Sequence, residues 1–392
     1  MDKKGCLLIK YKDLVMEDIY WGAIESGNTC NCLDIDCKTL DFNENEVNKI
    51  IKHVHNEPCD IVLSMNFSPT VSAACKELSL PYAAWVYDCP LQSLYAKEAY
   101  NSTNHFFLFD KYLVEDCRNR GLPNINYLPL AANISRMGQL KISTSDEASF
   151  SCDISFVGMQ YVDSRYAFYR SRLDENMKDK LNEIAFNMMG KWDGRDRIHN
   201  SMPDELIDAM LALSDTDPYS KLNVPNRVYF EENVIARAVA YTERRLMMEH
   251  IADLHPRWYG AKAEPKDQIA GVDYQPFLTY NDKLPKAYNL SKINLSTSLH
   301  SIFSGLPLRT FDIIGAGGFI LTNYQPETEE LFEIGKEIVV YHSFEEMAAL
   351  AKFFLAHEDA RLAILLAGYE RVCRDYTYPV AVQKILDSVF IG

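Results

Sequence analysis

Residues 301–324 read SIFSGLPLRTFDIIGAGGFILTNY, and in that order they spell a glycine-containing loop, a short helix, a glycine-rich turn and a buried strand. A loop running into a helix start is an anion site, because the first turn leaves its N–H groups without intrahelical partners and the helix dipole favours negative charge there. The backbone around Gly305 is therefore expected to face a diphosphate. Arg309 adds a permanently charged fork suited to phosphate oxygens. Asp312 follows on the same helix face, where a carboxylate accepts from both hydroxyls of a ribose. Gly315, Gly317 and Gly318 let the chain turn sharply from helix into strand. Composition leaves a second reading open: a tight helix-to-strand connection with an Arg309–Asp312 ion pair on its surface.

Outward from this stretch the same alternation repeats. Toward the C-terminus come helices over 347–355 and 361–373; toward the N-terminus come strands at 293–296 and 257–260 and a helix over 234–251. A strand at 153–158 ends in Gly158, which either lets the backbone approach a ligand or only forms a turn. Between that strand and about residue 210 the chain is charged, Met-rich and helical in period, an insertion rather than a third domain. The first 135 residues alternate likewise, with strands at 7–11, 60–65, 82–87, 105–109 and 125–130 and helices marked by Val47, Ile50, Ile51 and Val54 and by 71–78. Strand and helix at this spacing mean parallel sheets covered on both faces, which bind ligands at the carboxyl ends of their strands. The polar stretch KISTSDEAS, 141–149, reads as a linker between two domains.

Bulk properties agree. A chain of 392 residues exceeds one ordinary compact domain, and 47% hydrophobic with 24% charged residues is globular composition. A net charge of −15 with no basic cluster argues against a nucleic-acid partner. The apolar run near the N-terminus is too short for a signal-peptide core, and no stretch approaches a membrane span, so the expected location is cytoplasmic. Ten cysteines without framework spacing fit reduced thiols; Cys30, Cys32 and Cys37 lack a nearby fourth partner for a metal and read as strand residues.

In the N-terminal half, Asp88 closes a strand just before Pro90. At the carboxyl end of a parallel sheet it is either a general base for an acceptor hydroxyl or a cap of the next helix. Asn66 and Asp110 stand at similar strand ends and read as turn or cap residues. Arg244 and Arg245 sit mid-helix beside Glu243; either one of them faces the cleft or, the favoured reading, they make a surface ion pair.

Nine segments then carry a resemblance. SKINLS, SGLPLRTFDIIGAGGFILTNY, EELFEIGKEIVVY and DYTY in the C-terminal half, with SMNFSP, YAAWVYDCP, FFLFD, NINYLPLAA and ISFVG before them, run in the order of the spore-maturation (CgeB-like) glycosyltransferases, which the chain resembles over nearly its whole length apart from the insertion. The resemblance implies a GT-B fold: α/β, with two Rossmann-like doubly wound domains facing a cleft. Residues 1–140 would form the acceptor side and 150–376 the nucleotide-sugar side, with the insertion at about 165–227 and a helix at 377–392 crossing back. It implies a metal-independent hexosyltransferase of glycan biosynthesis that uses a nucleotide-sugar, a UDP-sugar above all, with no other cofactor, and a glycan, protein or small molecule as acceptor. It puts Arg309 near the diphosphate, Asp312 on the ribose, Lys292 as a second phosphate contact, and Tyr259 and Gly260 near the base. One departure stands out. Related retaining enzymes carry two acidic residues eight apart, and the position eight before Asp312 is Ser304. A binding protein without turnover, or an epimerase that attacks its donor with water, is the alternative this leaves open.

Overall fold

A computed structural model describes residues 3–11, 15–36, 42–161, 164–193, 202–214, 224–260 and 267–391. The chain forms two compact units. One takes in Met1–Asn133 and the chain's end, Arg374–Gly392; the other is built from Ile134–Pro218 and Pro225–Cys373.

The first unit holds six parallel strands, β1 (Gly5–Lys10), β2 (Thr29–Asp34), β3 (Ile61–Met65), β4 (Tyr82–Val86), β5 (Asn104–Leu108) and β6 (Ile125–Tyr127), in the order β2-β1-β3-β4-β5-β6. Strands β3 and β4 are buried along nearly their whole length, as strands covered on both faces must be. The helix Met16–Glu25 goes beyond the sequence reading. Cys30 and Cys32 both lie on β2, the edge strand, and Cys37 lies outside the described residues. The last helix, Tyr378–Phe390, packs in this unit against Met16–Glu25. The approach is close because Gly22 has no side chain: a Cβ there would stand 2.8 Å from that of Tyr378.

The second unit holds β7 (Cys152–Val157), β8 (Arg257–Tyr259), β9 (Asp273–Gln275), β10 (Ser291–Ser296), β11 (Ile320–Asn323) and β12 (Val339–Tyr341), all parallel, in the order β12-β11-β10-β7-β8-β9. The order reverses between β7 and β10. In a doubly wound sheet that reversal opens a crevice at the carboxyl ends of the two strands, where ligands bind. Alternation fixes what lies beneath it. Ile154 and Phe156 of β7 and Ile293 and Leu295 of β10 enter one apolar core with Trp258, Leu321 and Tyr341. On the opposite face Asn294 ties three strands together, accepting from Ser155 Oγ (3.0 Å) and donating to the carbonyls of Tyr288 (2.9 Å) and Phe319 (3.2 Å).

One expectation changes here. Residues 144–150 are helical, not a linker: Ser143 accepts from the Asp146 N–H (3.2 Å) while the Asp146 carboxylate accepts from the Ser143 N–H (2.9 Å), a capping box that satisfies both ends. The insertion between β7 and β8 builds its own core from Leu181, Ile184, Leu206, Met210, Phe230 and Val234. From it emerges the helix Ala236–His250, joined through a π-helical turn at Glu231–Ile235.

Candidate functional site

Everything at the β7/β10 crevice follows from three segments: the turn after β7, the helix Ala236–His250, and the loop from β10 into the helix Leu308–Gly315. Gly158 ends the first. A Cβ at this position would lie 3.1 Å from the Phe156 ring and 3.3 Å from an Arg244 guanidinium nitrogen, so glycine leaves room for that cation against the turn.

Of the two adjacent arginines, Arg244 is the one that turns inward. Its neighbour Arg245 makes the expected surface pair, with Glu249 at 3.0 Å. Arg244, one position and about 100° round the helix, is 2% exposed and has no carboxylate within ion-pair distance among the described residues. It donates to the Met159 carbonyl, its guanidinium stands over the rings of Tyr161 (4.5 Å) and Phe156 (5.3 Å), and its Nε is buried without a partner. Burial, and next to it the charge of Arg309, push this guanidinium down to about 10; it stays charged at neutral pH.

Arg309 comes to the same ring from the other side of the crevice, 5.5 Å from the Phe156 centroid. It is the second residue of Leu308–Gly315, whose N-terminus has no side-chain cap. No ion pair joins Arg309 to Asp312 among the described residues, which removes the surface salt-bridge reading. Asp312 is instead 3% exposed and accepts from the Tyr280 hydroxyl at 3.3 Å. The Tyr288 hydroxyl lies in the field of both residues and is pushed up, chiefly by burial. Gly305 is buried in the loop three residues ahead of this helix.

At the carboxyl ends of β7, β10 and β11 other buried polar atoms lack partners among the described residues: Gln160 Oε1 after β7, Ser296 and Ser298 Oγ at the end of β10, and Gln325 Oε1 after β11. Such groups cost roughly 1–3 kcal/mol each when left unmet. Gathered at one rim with two uncompensated cations, they describe a site shaped for a polar, anionic ligand. Ser304, where the acidic residue is missing, donates to Glu327 Oε1 at 2.7 Å; the loop after β11 thus supplies a carboxylate at that place, and Glu327 is 1% exposed.

Other sequence candidates lie elsewhere. Lys292 is the second residue of β10, at the amino end of the sheet, paired with Asp153 of β7 at 2.7 Å. Four residues of strand, roughly 13 Å, separate it from the crevice, so its assignment as a phosphate contact is corrected. Tyr259 is 2% exposed, packed with Phe150 and Ala287 and hydrogen-bonded to Arg257 (3.3 Å); its ring belongs to the covered face of the sheet and offers no platform. Gly260 carries φ +91°, and a Cβ there would meet the Phe277 ring at 2.8 Å. Phe277, which the sequence reading passed over, is 59% exposed and lies two residues past β9. An exposed aromatic looks like any loop residue in sequence; only the sheet order brings it beside Gly260.

In the first unit, Asn66 has φ +58° and its Oδ1 accepts from the N–H groups of Tyr87 (2.9 Å) and Asp88 (3.1 Å). Its Nδ2 donates to Asp88 Oδ2 at 2.9 Å. The residue in the cap position of the next helical turn, Gln92–Tyr95, is Leu91. Asp110 does cap, accepting from the Leu113 N–H at 3.0 Å.

Comparison with known proteins agrees with the fold. Residues 242–387 match the family model described as glycosyl transferase-like, a span that holds Arg244, Arg309 and Asp312. No curated protein matches the sequence. Among solved structures the chain is similar to HepE of Anabaena in complex with UDP-glucose (10% identity, 99% of this chain and 100% of that one, TM-score 0.54). It is also similar to a glycosyltransferase from Rickettsia africae (10%, 99% and 98%, 0.53) and to a putative UDP-N-acetylglucosamine 2-epimerase from Listeria monocytogenes (11%, 99% and 96%, 0.50). The two Rossmann-like sheets are those of the GT-B fold, and the C-terminal half carries a glycosyl transferase-like domain. Among the described residues no helix is long and apolar enough to cross a membrane.

Proposed function

We propose that this protein is a glycosyltransferase taking its sugar from a nucleotide-sugar bound at the β7/β10 crevice, with Arg244 and Arg309 holding the diphosphate. One observation carries the reading: two guanidinium groups share the Phe156 ring, one of them 2% exposed and without an ion-pair partner among the described residues. A diphosphate supplies the missing charge. As the bond from the anomeric carbon to the phosphate oxygen breaks, its electron pair leaves with the diphosphate, and fixed cations stabilise that charge without reorganising. No metal is needed for this role.

Within the same proposal, Asp312 takes the ribose hydroxyls, Gly158 and Gly260 allow close approach of the donor, and Phe277 stacks on the base. Asp88, whose carboxylate Asn66 orients, is the candidate base for an acceptor hydroxyl. The order of the motifs supports membership of the CgeB-like enzymes, and a UDP-sugar is the favoured donor because HepE, of like fold, is solved with UDP-glucose. The likeness to the Listeria protein keeps donor hydrolysis or epimerisation as the second reading, marked by free sugar appearing without acceptor.

The test is a thermal-shift panel of UDP-, GDP-, CMP- and dTDP-sugars on the wild type and Arg309→Ala, with and without magnesium. A ligand at about 100 times its dissociation constant adds roughly 2.7 kcal/mol to stability. Stabilisation by one nucleotide class, independent of magnesium and lost in Arg309→Ala, is the expected outcome; no response in the folded wild type would remove the donor site. Phe277→Ala is expected to weaken nucleotide binding about tenfold, the worth of one aromatic stack, while leaving binding of inorganic pyrophosphate unchanged. Equal loss for both ligands would take the base away from Phe277.

A further inference from the structure

Glu243 and His300 form a buried pair that the reading above leaves unused. Glu243 immediately precedes Arg244 on the helix Ala236–His250. His300 sits on the loop between β10 and the Arg309 helix. His300 Nε2 and Glu243 Oε1 are 2.8 Å apart, with side chains 8% and 1% exposed. The same Oε1 accepts from the Gly190 N–H at 2.8 Å, and the Trp192 ring stacks parallel to the imidazole at 13° and 6.3 Å. Trp192 is in turn wedged edge-on against Tyr341 (5.6 Å) and Phe344 (5.7 Å). The imidazole is thus held in position and in ring orientation. With Nε2–H committed to the carboxylate, Nδ1 is the nitrogen left for a ligand; it has no hydrogen-bond partner among the described residues.

We propose that His300 is a third donor to the leaving diphosphate, beside Arg244 and Arg309, and that Glu243 is the residue that positions it. The inference rests on the nucleotide-sugar reading of the site. In the transfer step the acceptor oxygen bonds to the anomeric carbon and its proton passes to a base. The bond from that carbon to the phosphate oxygen breaks, and the electron pair stays on the oxygen. With Nε2–H held by Glu243, Nδ1 donates only from the doubly protonated ring, and in this proposal it is that form that hydrogen-bonds the oxygen and keeps its proton. Because the charge on the oxygen grows only as the bond breaks, the contact acts on turnover more than on binding. The pair adjoins both segments that carry the arginines: Glu243 stands next to Arg244 on its helix, and His300 lies on the loop that leads to Arg309.

The experiment follows release of nucleoside diphosphate, without acceptor, from UDP-glucose, GDP-glucose and dTDP-glucose in turn, with donor affinity measured by calorimetry. His300→Ala is expected to lower kcat about 100-fold while KM and Kd change less than about threefold. Added imidazole restores part of that rate. His300→Gln, which keeps a donor toward Glu243, guards against misfolding and is expected to show the same loss. Glu243→Gln lowers kcat about tenfold alone and adds nothing in the His300→Ala background, the mark of residues acting as a unit. An unchanged kcat in both His300 variants, or loss of Kd together with kcat as expected for Arg309→Ala, would overturn the role of His300 while the donor site stands. Failure of the wild type to bind any of the three sugars would instead overturn the donor site, and this inference with it.

Discussion

Arg244→Met is expected to raise the melting temperature of the ligand-free protein and to abolish its response to nucleotide-sugars. Opposite signs on stability and function follow from one fact: the fold holds a charge it does not compensate. Burial comes first among the causes, and the nearby Arg309 second, that push the Arg244 guanidinium from its ordinary 12.5 down to about 10. A depression of that size is of the order of 3 kcal/mol against the charged form. Methionine keeps the length, the fit over Phe156 and Tyr161 and no charge, and exchanging a buried ion for an apolar side chain of similar volume stabilises by roughly 1–4 kcal/mol in comparable cases. The sign with pH is fixed as well. A cation whose folded-state value is depressed is penalised throughout the range below that value, and the penalty fades as pH rises through about 10. The gain in Arg244→Met is therefore constant near neutrality and shrinks in alkali. Melting curves at pH 7 and near pH 10, with and without UDP, check both halves. A destabilised variant that still binds UDP would show that Arg244 is a structural residue with nothing to offer a phosphate.

The α/β rhythm was legible because it is written in composition. Runs such as YAAWV and IVLSM can only be strands buried on both faces, and the alternation of strand and helix then compels parallel sheets. Strand β2 was legible only at Cys30 and Cys32, because TCNCLD, on the sheet edge, is half polar and lacks a β-branched apolar run. The capped helix at 144–150 escaped because serine, aspartate and glutamate read alike in a linker and in a capping box. At the candidate site, Arg309 and Asp312 stand out in sequence by their place on a helix that follows a glycine loop. Arg244 does not: it stands next to Arg245 and Glu243, and nothing in three adjacent charged letters says which faces solvent. Helix phase decides it, sending Arg245 outward to Glu249, Arg244 to Phe156, and Glu243 to His300. Lys292 failed for a related reason. Its motif SKINLS is the strand that leads to the site, yet a strand's first residues lie at the end of the sheet away from the ligand.

Gly368→Ala, a single added methyl, is expected to cost roughly 1–3 kcal/mol and to weaken donor binding from a distance. Glycine in the middle of the helix Glu358–Asp375 already forfeits about 1 kcal/mol relative to alanine, so packing must repay it. A Cβ at Gly368 would stand 2.3 Å from the Glu337 carbonyl oxygen and 3.6 Å from Ile314 Cγ2. The first contact is with backbone ahead of β12, which cannot rotate away, so the helix itself must move. Ile314 belongs to the helix Leu308–Gly315, which carries Arg309 and Asp312; displacement there reaches the donor site. Overpacking of this kind costs roughly 1–3 kcal/mol or more, offset only in part by the better helix propensity, and corresponds to a fall in Tm of about 5–10 °C for a unit of this size. Gly335→Ala is the matched control. It lies in the same turn, at φ +82° but with nothing within 4 Å of an added Cβ, so it bears backbone strain of the order of 1 kcal/mol and no clash. Gly368→Ala melting no lower than Gly335→Ala would mean that the Glu337 turn yields, and that the helix bearing Arg309 is not braced from behind.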